Sequence, residues 1–160
     1  MATYRLQSLL RIRANREDKA SAALAVARQA VAEAVNAVHA RERELADFRA
    51  TAEARRDRIY AAVMNRPVTM DELDRAREGV ARIDDEGVLR ADNVLLAQKE
   101  LNERRNEETQ ARARFVSATK DRMKISEHRA RWAQDEVRAQ EHFQELELED
   151  FTGKKNHDVD

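Results

Sequence analysis

The chain has 160 residues, 38% of them charged and 4% aromatic, with three Gly, one Pro and no Cys. This Ala, Arg, Glu and Leu profile fills a narrow helical seam rather than a thick interior, and the lack of cysteine excludes a disulfide framework and thiolate chemistry. The net charge of −1 lacks the basic footprint of a general nucleic-acid binder, no apolar run nears the roughly 18 residues of a membrane span, and MATYRLQSLLRIR lacks a signal peptide's continuous apolar region. A cytoplasmic chain with no nucleic-acid partner and no direct membrane insertion is expected.

The first predicted element is a helix over about residues 3–65. Leu10, Leu24, Val31, Val38, Leu45, Ala52 and Ile59 recur at sevens, with Glu17 as the one polar break. Leu6, Ala20, Ala27, Ala34, Phe48 and Ala62 form the companion row, interrupted by Arg13, Arg41 and Arg55. Sustained apolar heptads are the mark of a coiled coil.

A turn is predicted at about 66–69. Pro67, the single proline, has no N–H and disfavours helical geometry at Arg66, so the first helix ends near Asn65. Thr69 and Glu72 then have the spacing of a capping box, and Val68 and Leu73 that of a hydrophobic staple. Asp71 adds negative charge where the dipole of a second helix favours it.

The second helix is predicted over about 70–150, with a flexible tail at 151–160. Leu73, Val80, Gly87, Val94, Leu101, Phe115 and Phe143 keep one heptad row, and Ala76, Ile83, Ala97, Ala111, Ala118, Ile125, Trp132, Ala139 and Leu146 the other. Gly79 and Gly87 weaken a helix interior by roughly 1 kcal/mol each, so a break between them stands beside the favoured reading of a continuous, bendable helix.

The predicted fold is all-α, a long antiparallel two-helix coiled-coil hairpin forming a single domain. With the turn at Pro67, facing positions sum to about 135. That register sets Phe48 against Gly87, Ala34 against Leu101, Leu24 against Ala111 and Ala20 against Phe115, large against small as close packing requires. Residues 1–66 carry a net charge of +5 and residues 67–160 one of −6, which favours one helix lying against the other.

Two features exceed a two-helix seam. Phe143, Leu146, Leu148 and Phe151 lie beyond the reach of the first helix, as a frayed tail or as a partner surface. Val88, Leu95, Val116, Met123 and Val137 repeat one position after a seam row, with Leu89 and Leu96 beside them, where a two-stranded coil is polar; a second apolar face for a third partner, densest at Val88–Leu96, self-association and a row without a role all stay open. No catalytic constellation is present: the four His are scattered, and no Gly-rich phosphate loop occurs. A non-enzyme with no cofactor and no metal site is expected.

The segments LQSLLRIRANRED and AQDEVRAQEHFQELELEDF, in a short Cys-free Arg/Glu-rich hairpin, resemble the type III secretion stalk family called SctO or YscO, whose flagellar relative is FliJ. The resemblance implies a virulence-associated, ATPase-associated stalk in the centre of a hexameric secretion ATPase, linked to the cytosolic domain of the export gate, with export chaperones as further partners. It places the ATPase contact at Leu6, Leu10, Arg13, Phe143, Leu146 and Glu149, and the gate contact at Val88, Leu89, Leu95 and Leu96. Seam arginines such as Arg13 and Arg122 would stay solvated and meet acidic ring surfaces. Two other readings stay open: a helical-hairpin holdase or adaptor, and a purely structural coiled coil that dimerises into a four-helix bundle.

Overall fold

The structure, a computed structural model, describes the backbone of residues 4–155 and the side chains of residues 4–149. It is all-α: helix α1 spans Gln7–Val63 and helix α2 spans Met70–Lys155, packed against each other as a hairpin. Helix α1 starts later than the expected residue 3. Residues 5 and 6 form a turn instead, closed by the Gln7 N–H donating to the Tyr4 carbonyl at 3.1 Å. Helix α2 runs to Lys155, past the expected end near 150, so the first five residues of the expected flexible tail are helical, while 156–160 lie outside the described residues.

The connection is built by local chemistry. Asn65 adopts a left-handed conformation, φ 61°, which closes α1 and turns the chain. The Arg66 side chain then reaches back, its Nε donating to the Ala62 carbonyl at 2.8 Å and covering one of the acceptors that the helix end leaves open. The Thr69 N–H donates to Glu72 Oε2 at 2.8 Å, and the Glu72 N–H donates to Thr69 Oγ1 at 3.2 Å, so the expected capping box is formed in both directions. The N–H of Thr69 and the nearby Arg66 guanidinium hold the Glu72 carboxyl below its ordinary pKa.

Helix packing groups into two units. The first comprises residues 23–111, on both sides of the turn. Its buried side chains are Leu24, Ala34, Val38, Phe48 and Ala52 on α1 and Ala76, Ile83, Val94 and Leu101 on α2, all on the heptad rows. Ala34 and Val38 pack with Leu101, and Phe48 and Ala52 pack with Ile83, which is only 2% exposed. The seam is dry in composition: no polar or charged side chain among the described residues is buried.

Gly79 and Gly87 do not break α2. They are recesses in it. A Cβ at Gly87 would sit 3.1 Å from Phe48 Cε1, and one at Gly79 would sit 3.1 Å from Ile59 Cδ1. Each glycine thus admits a large α1 side chain that an alanine would crowd. Around Phe48 the packing is reinforced by charge: the Arg90 and Arg55 guanidiniums lie 5.3 and 5.8 Å from the ring centroid, and Glu86 bonds both at 2.9 and 3.1 Å. Arg55, which interrupts the α1 heptad row, therefore closes over the seam.

The second unit joins α1 up to Ala22 with α2 from Arg112. Its register follows the same antiparallel course. Arg13 pairs with Asp121 at 2.8 Å, and Tyr4 Oη lies 2.8 Å from His128 Nδ1. Glu17, the polar break of the α1 row, meets Arg122 and accepts a hydrogen bond from Thr119 Oγ1 at 2.9 Å. Arg122 Nε is shielded from solvent and faces Glu17 as an ion pair, outside hydrogen-bond geometry. Two polar interruptions of the seam thus neutralise each other, which limits the cost of placing charge beside apolar side chains.

Candidate functional site

Among the described residues no cluster of three or more His, Asp or Glu side chains could hold a metal ion, and no helix is long and apolar enough to cross a membrane. The concavities are open grooves between surface side chains. The sequence-predicted residues fall on two surfaces.

One surface lies in the unit made of residues 23–111. Heptad seam positions turn Val94 and Ala97 inward, so the residues next to them point away. Val88, Leu89, Leu95 and Leu96 are 60–64% exposed on the outer side of α2. Leu96 also borders a groove whose α1 side is Ala30, Ala34 and Ala37, with Glu33 and Arg41 nearby. Four large apolar side chains within nine residues form a patch of the kind that partner surfaces use. Arg104, a little further along α2, is held firmly cationic by Glu100 and Glu107.

The other surface lies in the unit made of α1 up to Ala22 and α2 from Arg112. Tyr4 is buried against α2: its ring centroid is 5.3 Å from that of Trp132 and 5.8 Å from that of His128. This clasp sets where α1 begins along α2. Beyond it Phe143 is 68% exposed and Leu146 44% exposed, on a stretch that also carries Glu141, Glu145 and Glu147. Leu148 and Glu149 are exposed as well, while Phe151 lies outside the described side chains.

The predicted contact residues at this surface are not gathered into one spot. Leu6 and Leu10 are half-buried beside the seam. Phe143 lies 11 residues past Trp132, about 16 Å along the helix. Arg13 and Arg122 differ from the expectation of solvated seam arginines: each is engaged inside the chain, by Asp121 and Glu17. The free cations are elsewhere. Arg16 and Arg114 line an open groove with Ser117 and Ala118, next to the Arg13–Asp121 pair, and neither makes an ion pair among the described residues.

Sequence reasoning missed the Arg16/Arg114 groove and the Tyr4 clasp. Tyr4 precedes α1, so no heptad position governs its side chain; the only signal was an aromatic residue next to a helix start. The groove appears only when two helices are set side by side in register.

Comparison with known proteins adds to this geometry. The profile of a family described as type III secretion protein YscO matches residues 6–154. The chain is similar to a solved structure from Chlamydia trachomatis, CT670, described as a proposed YscO homologue, with a TM-score of 0.75 and 18% sequence identity, covering 99% of this chain and 97% of that one. That likeness concerns the fold. No curated protein sequence matches.

Proposed function

Because this chain belongs to the type III secretion protein YscO family, we propose that it is the non-enzymatic central stalk of a type III protein secretion apparatus, working at the cytoplasmic face between a hexameric secretion ATPase and the export gate. The match over residues 6–154 carries the reading, since it spans both helices and both surfaces. The division of labour rests on the stalk resemblance together with the exposed side chains. The surface with Phe143 and Leu146 meets the ATPase ring, supported by Leu6, Leu10, Arg13 and Glu149. The face of Val88, Leu89, Leu95 and Leu96 meets the cytosolic domain of the gate, and export chaperones share one of these surfaces.

Physical support for the ring contact comes from its mixed chemistry. Phe143 and Leu146 supply apolar area on an acidic stretch, and the groove of Arg16 and Arg114 supplies unpaired positive charge in the same unit. A contact that combines them depends on salt through its charges and persists through its apolar anchor. Phe143→Ala combined with Leu146→Ala is expected to remove most stimulation of the purified ATPase while leaving helicity unchanged, because both side chains are exposed. The assay is ATP hydrolysis with and without the stalk protein across a salt series. Full stimulation by the double variant would remove this surface from the ring contact and favour a holdase or adaptor role built on the Val88–Leu96 face.

A further inference from the structure

The apolar row that continues past the gate-contact face has no place in the proposed function. Val116, Met123 and Val137 are 44–53% exposed, in the unit that contains α2 from Arg112. They lie off the seam, whose side chains in the same stretch, Phe115, Ile125 and Trp132, are half-buried. Stepping three and four residues alternately from Val116 to Gln140 passes through Ser126, Ala130 and Ala133 and meets no charged side chain at any of eight positions, of which Thr119 alone turns to the seam, where it donates to Glu17. These positions share one helix face. In a chain that is 38% charged, an uncharged face of this length is a candidate contact surface.

We propose that this face is a self-association surface, on which α2 of a second copy packs antiparallel about a two-fold axis at Ala130. Its pattern is close to its own mirror image. Met123 and Val137 stand seven residues either side of Ala130, and Ser126, four residues before it, comes within one residue of the level of Ala133, three after it. Small side chains occupy the axis and larger ones lie outside it, so the backbones can approach closely at the centre while the flanks interdigitate.

Charge identifies the occupant. Lys120 and Glu141 flank the stripe on the same edge, three heptads apart, and neither makes an ion pair among the described residues. Both lie on one continuous helix, about 30 Å apart at 1.5 Å per residue, so they cannot meet within the chain. The antiparallel arrangement sets Lys120, ten residues before Ala130, within one residue of the level of Glu141 of the partner subunit, eleven after it, an offset of about 1.5 Å that long side chains span, and the two-fold axis makes that contact twice. On the same edge Glu127 comes within one residue of the level of Gln134 of the partner subunit, so no like charges are opposed along that edge.

The stripe ends at Gln140, just before Phe143. Self-association therefore crowds the surface assigned to the ATPase ring, and a paired chain is withheld from the ring. That consequence rests on the proposed function; the self-association does not.

Sedimentation equilibrium of the full chain tests the proposal. A reversible dimer is expected, with Lys120→Glu and Glu141→Lys each weakening it about tenfold and the double charge swap restoring it, at unchanged helicity. Independently, Ala130→Cys in this cysteine-free chain is expected to oxidise to a disulfide-linked dimer, because residues on a two-fold axis between close helices come within disulfide reach. Lys99→Cys, on the other unit, is not. A monomer at all concentrations up to about 1 mM, a dimer indifferent to either reversal, a swap that fails to restore association, or equal cross-linking at both cysteines overturns it. ATPase stimulation is not the readout, so failure here is distinct from failure of the stalk reading.

Discussion

Asn65 and Thr69 divide the work of reversing the chain. Asn65 accepts the left-handed backbone that β-branched residues resist, and Thr69 opens α2 by trading hydrogen bonds with Glu72. Thr69→Ala removes an acceptor for the Glu72 N–H and is expected to lower stability by about 1 kcal/mol, measured by urea denaturation at matched concentration; an unchanged midpoint would remove Thr69 from the cap. The two glycine recesses predict opposite signs for the same substitution. At Gly79 the nearest atom is the far end of Ile59, which can turn aside, so Gly79→Ala should stabilise by roughly 0.5–1 kcal/mol through helix propensity. At Gly87 the neighbour is the Phe48 ring, packed on Ile83 and overlain by Arg55 and Arg90. That ring has nowhere to go, and Gly87→Ala should destabilise by about 1–3 kcal/mol. Thermal melts of the two variants that shifted the same way would contradict the recess account.

Across the helices, heptad spacing made the buried rows legible. Each buried apolar residue of α1 and α2 falls on a row that the sevens pick out, and Phe48 against Gly87 and Ala34 against Leu101 follow from counting outward from Pro67. The polar partners were not legible, because a row position says which way a side chain points and not what stands opposite. Arg55 and Glu17 read as faults in the α1 rows, yet one overlies Phe48 and the other pairs with Arg122. Glu86 makes the Phe48 cluster sensitive to acid. Hydrogen bonds from Arg90, then from Arg55, hold its carboxyl below the ordinary glutamate range. A depressed folded-state pKa stabilises the fold above the unfolded value, and that contribution is lost as pH falls through the folded one. Stability should therefore decline as pH drops below about 4.3. Glu86→Gln should lower stability at neutral pH and flatten the acid limb of a stability-versus-pH profile. A variant with the parent's full acid sensitivity would show that other carboxylates carry it.

At the scale of the whole molecule, each candidate contact sits in its own packed unit, which makes the two separable by mutation. The outer face of α2 was legible because apolar residues stood where a two-stranded coil is polar, and the structure leaves Val88, Leu89, Leu95 and Leu96 largely exposed. The ring-facing set was less legible: the sequence could mark Phe143 and Leu146 as lying past the first helix, but could not tell that Arg13 is engaged by Asp121 while Arg16 and Arg114 are free. Replacing Val88, Leu89, Leu95 and Leu96 together with Gln removes apolar area that already faces water, and Gln has good helix propensity. Circular dichroism should stay near that of the parent. Binding to the cytosolic domain of the export gate should weaken by at least tenfold, because an apolar patch at the centre of a contact supplies most of its affinity. Stimulation of the ATPase should persist, since Phe143, Leu146 and the arginine groove belong to the other unit. The Phe143→Ala, Leu146→Ala protein should show the reverse, binding the gate without stimulating the ATPase. If the Gln variant lost helicity, the four side chains would be seam residues and the register wrong. If it kept helicity and lost both activities, the two contacts would be one surface, and a stalk that meets ring and gate through separate faces would have to be abandoned.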